Sequence, residues 1–342
     1  MNSIDGSVKK FGQRKTIAVN GEVCNYVIGN HATKILCIYP NDKANSCLES
    51  WIKKNKQEIE SKLLEYGALL FRGWGVESTE KFKNVAIDAL GYKPLSYVYR
   101  SSPRTLIDSY VYTATEYNCK RDIPLHNENS YSHAWPTHLV FGCHLAATSG
   151  GQTTLADSRF IYNNLSESIK NKYNQSRLMY IRNYGVVDLP WSEVFQTTDK
   201  DEVEMFCKEN NIEFRWGNNG GLQTRQLCNT TLMHPITQEN VWFNQAHLFH
   251  ASATDDKYTF AEGGCDNITY PRNVYHADGS ELELNALSEI RDLYAQCSYD
   301  LCWENGDVLL LDNLLVAHGR RAFTGERKLV VVMLDNNLTE AK

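Results

Sequence analysis

The stretch GDVLLLDNLLVAHGRRAFTGERKLVVVML, residues 306–334, holds two strongly apolar runs around a short polar centre. DVLLLDN (307–313) and KLVVVML (328–334) are short, rich in Val and Leu, and bounded by turn-forming residues. That is the pattern of β-strands buried on both faces. Between them stands His318, followed at once by Gly319-Arg320-Arg321 and then by a Thr324-Gly325 turn before Arg327. Charged groups beside a buried strand must find partners, because burying an unpaired charge is costly. The stretch therefore describes a core strand that delivers a histidine to a polar pocket, with a guanidinium close behind.

Working outward, the same texture begins after Tyr97. SYVYT (109–113), THLVFGCHL (137–145), QTTLAD (152–157) and VWFN (241–244) alternate with Gly, Pro, Asn and Asp. Many short strands so punctuated predict a β-barrel or jelly roll. Helical spacing predicts helices over Trp51–Tyr66, closed by Gly67, and over about Thr79–Leu90, with ALLFR (68–72) a buried strand between them. A third helix is expected near 199–210, opened by an Asp199/Glu202 capping box, and a fourth over 288–297. The expected fold is mainly β with flanking α: a jelly-roll barrel, or double-stranded β-helix, with outer helices and a long insertion between early and late strands. One domain is expected over 1–342, with its core at about 50–335 and residues 1–35 as a polar lead-in.

Bulk properties narrow the function. The chain has 342 residues, 42% hydrophobic and 22% charged, and a net charge of −6, so no nucleic-acid partner is indicated. The N-terminal residues lack the apolar core of a secretory signal, and no run approaches the length of a membrane span. Ten cysteines form no CxxC, which points to reduced thiols and a soluble, cytoplasmic protein. The Asn-x-Ser/Thr sequences, such as Asn164-Leu165-Ser166, are then chance matches.

PLHNENSYSHAWP (124–136) carries the second half of the chemistry. In an extended segment His126 and Glu128, two apart, point to one face. Alone, the pair is as well explained as loop polarity. His318 supplies a third ligand. Two histidines and a carboxylate leave three positions of an octahedral metal open, the arrangement of non-haem Fe(II) oxygenases, whereas thiolates would favour zinc. A bidentate 2-oxo acid and dioxygen fit the open positions, and Arg327 suits the distal carboxylate of such an acid. A zinc hydrolase on the same three ligands and a non-catalytic ligand-binding barrel remain alternatives at this point.

Taken with YGALLFRGW (66–74), TEYNCKRDIPLHNENSYSHAWP (115–136), FGCHLAATSGGQTTLADSR (141–159) and VWFNQAHLFH (241–250), the chain resembles the TauD/TfdA-type Fe(II)- and 2-oxoglutarate-dependent oxygenases. Within them it is most similar to the branch that tailors amino acids in natural-product pathways, such as the syringomycin-type aspartyl hydroxylases. The resemblance implies that His126, Glu128 and His318 bind Fe(II), that Arg327 and Thr153 bind 2-oxoglutarate, and that O2 is the oxidant. It implies release of succinate and CO2 with oxidation of an unactivated C–H bond, most simply by hydroxylation. Oxidative cyclisation or desaturation, for example kainoid-type ring closure of an N-prenylated glutamate, is the alternative outcome. Many relatives have Asp where this chain has Glu128. Halogenating relatives have Gly or Ala there, so the retained carboxylate argues against halogenation.

The substrate is expected to be a small amino-acid-type molecule, free or bound to a carrier protein. Glu116, Asn129, Tyr131, Arg321, Tyr99 and Arg104, with Arg100 and Arg320 near them, are the candidates for its side of the pocket. WFNQ (242–245) mixes apolar and amide groups as a pocket wall does, although core strand packing explains Trp242 and Phe243 as well. The remaining histidines, His133 among them, are not expected to bind the metal.

Overall fold

Both apolar runs are strands, Val308–Asp312 and Lys328–Asp335, and His138–Leu145 lies between them. Phe141 pairs with Leu309 on one side and Val331 on the other. These strands are the centre of a ten-stranded sheet. Beyond Val308–Asp312 follow Ala68–Phe71, Lys34–Pro40, Val23–Gly29 and Lys15–Asn20; beyond Lys328–Asp335 follow Val111–Thr113 and Leu106–Asp108. The computed structural model describes residues 15–97, 99, 101–174, 176–185, 189–218, 220–253 and 270–335; Arg100 and the first part of the lead-in lie outside them.

Alternate side chains of this major sheet serve two cores, which is why its strands read as unbroken apolar runs. Leu69, Phe71, Val140, Leu310 and Val332 pack with Trp51, Ile52, Leu63 and Phe82 of the flanking helices. Leu70, Phe141, Leu309, Leu311 and Val331 pack with Leu155, Leu301 and Val316 of a second sheet. This minor sheet has the order Tyr299–Leu301, Thr153–Asp157, Val316–Arg320, Ile123–His126. The two sheets face each other as a sandwich, and no pairing among the described strands closes them into a continuous barrel.

The helices differ in detail from expectation. The first is two, Leu48–Lys54 and Lys56–Tyr66, meeting at Asn55. The Asn55 side chain donates to Trp51 O at 2.8 Å, an Asn bond to backbone that competes with the helical ladder. Gly67 caps the second with φ +70°. The next begins as Thr79–Lys83 and widens into a π-helix over Asn84–Ala89, still burying Phe82, Val85, Ala86 and Ala89. Asp199 caps Lys200–Glu209 through the Asp201 amide at 2.9 Å, one residue short of the capping-box position. The last helix starts earlier than expected, at Leu284, and ends at Cys297.

The insertion leaves the minor sheet after Asp157 and returns at Tyr299. It builds a third sheet, ordered Glu213–Trp216, Leu222–Asn229, Arg177–Tyr184, Arg272–His276. Its core joins Tyr180, Trp242 and Phe249 to Ile290 and Leu293 of the helix 284–297. No helix among the described residues is long and apolar enough to cross a membrane.

Candidate metal centre and the two cavities beside it

His126 ends one strand of the minor sheet, and His318 lies directly opposite on its neighbour. Glu128 follows two residues on. A donor atom from each of the three lies within 4.8 Å of the others, and this is the one such set of His, Cys, Asp or Glu side chains among the described residues. Next to His318 the ladder shifts register. There Gly319 is required, because a Cβ would come within 2.6 Å of Ile123 O. The bulge re-aims the strand where the ligands converge.

The donor chemistry suits a divalent metal of intermediate softness. His126 Nδ1 donates to Pro124 O at 2.8 Å, which fixes the tautomer and leaves Nε2 for a metal. His126 is partly open to a cavity yet enclosed by protein, and burial, aided by His318, pushes its pKa down to about 4. It is therefore neutral, as a ligand must be. His318 Nε2 lies 3.5 Å from Glu128 Oε2. Burial disfavours the Glu128 charge, but the Arg104 guanidinium, with His318, outweighs it and holds the carboxyl well below the usual range. Arg104 Nη2 donates to Glu128 Oε2 at 2.7 Å. Two imidazoles and a carboxylate, without thiolate, match the facial triad of Fe(II) sites.

A polar frame holds Glu128 from behind. Asn313, fully buried, accepts from Glu128 N at 2.7 Å and donates to Glu128 O at 3.0 Å and Pro136 O at 2.8 Å. Asn127 donates to Asn313 O at 2.7 Å, and Gln245 donates to Asn127 O at 2.8 Å. Such outer partners orient metal ligands. Asn313 stands inside the quoted run DVLLLDN and Gln245 inside WFNQ, but a lone sequence cannot show what a buried amide clamps.

A small cavity of about 30 Å³ adjoins His126 and His318 on the Phe141 side. Arg327, Thr153, Arg320 and Arg104 line it. Arg327 Nε donates to Gly151 O at 3.1 Å, and its guanidinium lies 5.6 Å from the Phe323 ring. No acidic side chain among the described residues pairs with Arg327. Burial, aided by Arg320, pushes its pKa down to about 10. Gly151, at φ +71°, lets the backbone approach; a Cβ there would sit 3.1 Å from Arg327 Cδ. Thr153 Oγ1 accepts from Trp303 Nε1 at 2.9 Å and keeps its own proton to donate.

A larger cavity of about 860 Å³ opens on the other side of His126. Arg321 lines it, but both its rim partners are acidic: Asp122 at 3.0 Å and Asp300 at 2.9 Å. The other substrate candidates lie elsewhere. Glu116 is exposed and accepts from Thr113 Oγ1 at 2.9 Å, so it braces a hairpin; its neighbour Thr115 lines both cavities. Asn129 has φ +55° and takes the Tyr131 hydroxyl at 3.1 Å, so it is a turn residue. Tyr131 is buried, donates to Tyr99 O at 2.9 Å, and stacks behind Phe249, which does line the cavity. Tyr99, at φ +58°, turns into the core between Phe195 and Phe206. Arg104 does not reach over the mouth of the site; it is the buried partner of Glu128. His133 bonds Leu227 O and stands apart from the ligands.

The sequence matches the family of the taurine catabolism dioxygenase TauD, TfdA, over residues 43–333. DdaC, a dapdiamide synthesis protein of Enterobacter agglomerans, is 36% identical over 281 residues, 81% of this chain and 84% of that one. A clavaminate synthase-like protein of Arabidopsis thaliana is 30% identical over 299 residues, 82% and 84% of the two chains. Among solved structures, a taurine dioxygenase from Burkholderia xenovorans superposes with a TM-score of 0.57 at 14% identity, covering 92% and 90%. PvcB, an Fe, alpha-ketoglutarate dependent oxygenase from an isonitrile synthetic pathway, superposes with a TM-score of 0.53 at 14% identity, covering 95% of each. At such identities the superpositions speak for a shared fold.

Proposed function

Because the chain belongs to the TauD/TfdA family of dioxygenases, we propose that His126, Glu128 and His318 hold its iron and that Arg327 and Thr153 hold its cosubstrate. It is an Fe(II)- and 2-oxoglutarate-dependent dioxygenase, which removes the non-catalytic barrel and the zinc hydrolase from consideration. The reaction proposed is oxidation of an unactivated C–H bond in an amino acid or amino-acid-derived intermediate, most simply hydroxylation. The likeness to a dapdiamide synthesis protein supports a biosynthetic small molecule as substrate. One oxygenase domain in the cytoplasm is part of the proposal, and nine free cysteines among the described residues agree with a reducing compartment.

The observation that carries the residue roles is one juxtaposition. Two imidazoles and a carboxylate stand beside a guanidinium that has no acidic partner among the described residues. Bound iron, with 2-oxoglutarate and O2, supplies the oxidising power for C–H cleavage, with succinate and CO2 as by-products. The chain supplies position. Arg104 and Asn313 fix Glu128, Pro124 O fixes the His126 tautomer, and Arg327 offers paired donors to a carboxylate.

Anaerobic addition of Fe(II) and 2-oxoglutarate tests the assignment. A visible charge-transfer band is expected in the native chain, and none in His318→Ala. A band of full intensity in that variant would remove His318 from the ligand set. Product mass then separates the outcomes: one added oxygen for hydroxylation, two lost hydrogens for cyclisation or desaturation.

A further inference from the structure

The larger cavity is far roomier than a small free amino acid requires, and its wall carries a cation that no acidic side chain among the described residues neutralises. Arg291, on the helix Leu284–Cys297, lines it half-buried. Its Nε and Nη2 donate to His247 O at 3.2 and 3.0 Å, and Nη2 also reaches Ser252 Oγ at 2.9 Å. All three bonds go to neutral oxygens. No acidic side chain among the described residues pairs with Arg291, whereas Arg321 across the cavity has two. Nη1 keeps both hydrogens for a ligand.

The mount of this guanidinium is rigid and tied to the metal site. His247 Nε2 donates to Leu125 O at 2.9 Å, and Leu125 adjoins His126 on the ligand strand. The His247 ring stacks on Tyr294, with centroids 4.5 Å apart, one turn along the helix from Arg291. Arg291 therefore stands at a fixed offset from the metal ligands, spanned by one residue. Phe249 and Leu248, which share the short helix Ala246–Phe249 with His247, give the cavity an apolar flank.

We propose that Arg291 anchors a carboxylate at the end of the substrate remote from the reacting C–H bond, so that the enzyme takes an extended acid, such as an N-acylated amino acid or a dipeptide-sized molecule, rather than a small free amino acid. This rests on the oxygenase reading of the site. A cavity of about 860 Å³ lies in the range that encloses molecules of that size. The guanidinium matches a carboxylate in charge and fork geometry, and such pairs are the strong ones.

The test uses the full chain loaded with Fe(II) and 2-oxoglutarate under argon. A panel of N-acyl amino acids and N-acyl dipeptides, each paired with its primary amide, is titrated by calorimetry. At least one acid is expected to bind about tenfold more tightly than its amide. Arg291→Gln should shrink that ratio to about threefold or less, and Arg291→Lys should keep part of it. Absence of any acid preference in the native chain, or a preference intact in Arg291→Gln, overturns the anchor. The visible band, recorded on the same samples, separates the two readings. A band without acid preference overturns the anchor alone. An acid preference that Arg291→Gln removes, without a band, keeps the anchor and overturns the metal assignment.

Discussion

The two cavities that meet at His126 are built on different principles. The small one is framed by core strands of the minor sheet and by the turn before Lys328, where Arg327 donates to Gly151 O at 3.1 Å and Thr153 Oγ1 accepts from Trp303 at 2.9 Å. The large one is walled mainly from the insertion, by the helix 284–297 and the short helix Ala246–Phe249. The small cavity is thus set in the two facing sheets themselves. The large one stands mainly on elements outside the two facing sheets, yet two of its residues, Gln245 and His247, still brace the ligand segment through Asn127 O and Leu125 O. Loops and additions on a rigid scaffold commonly carry specificity in this way.

The sharpest way to break this comparison is to remove a ligand common to both cavities. His126→Ala should abolish metal binding and substrate-dependent succinate formation together. Retained turnover would mean that the ligand set lies elsewhere.

Arg104 comes next. Its side chain and that of Glu128 are almost fully buried against each other. Arg104→Ala should destabilise the metal-free chain by about 3–5 kcal/mol in urea denaturation, since it leaves a buried carboxylate without its guanidinium. A bound divalent cation should restore much of that loss. Equal destabilisation with and without metal would mean that Arg104 acts through packing on Tyr97 instead, where its guanidinium sits 4.7 Å from the ring.

Arg327→Ala acts on the small cavity alone. It should raise the 2-oxoglutarate requirement by about 30-fold, the effect of roughly 2 kcal/mol for a lost charged partner, and leave iron bound. An unchanged requirement, measured by titrating the visible band, would give the cosubstrate carboxylate to Arg320.

The smallest effect belongs to the large cavity's wall. Burial, opposed only in part by the bond to Leu125 O, pushes the His247 pKa down to about 3. The unfolded chain takes a proton on that ring near the ordinary value of 6.5, before the folded chain does. The stability it permits is thus full above about pH 6.5 and falls as pH drops toward 3, by at most about 1.4 kcal/mol per pH unit. His247→Asn should flatten that acid slope by nearly one proton. An unchanged slope would mean that the ring is not neutral and buried as described.

How much was legible follows the same division. His126, Glu128 and His318 could be picked out because strand periodicity sets where a side chain points, and because the apolar runs mark the core without ambiguity. The brackets around them could not. Arg104 reads as one arginine among several until its chain turns inward near Tyr99, whose φ of +58° no residue preference announces. Glu116, three residues after the end of the strand Val111–Thr113, looked as much like a pocket acid as a hairpin brace; only the Thr113 hydroxyl bond decides it. The break at Asn55 and the π-helix at Asn84–Ala89 escape helical spacing because both keep the buried face in phase. Arg291 and His247 sit in the insertion, where no local pattern tells which of many polar residues returns to the ligands.

Leu155 pairs with Tyr299 on one side and His318 on the other. The whole insertion is therefore an excursion that departs from one core strand and comes home beside it. The entropy of closing such an excursion grows only with the logarithm of its length, about 0.6 kcal/mol per doubling. Lineages descended from this scaffold can lengthen, trim or exchange the excursion at little thermodynamic expense. For an engineer, grafting a foreign segment between 158 and 298 is the conservative operation as long as the bonds of Gln245 and His247 to the ligand segment are kept, and moving any strand of the minor sheet is the radical one.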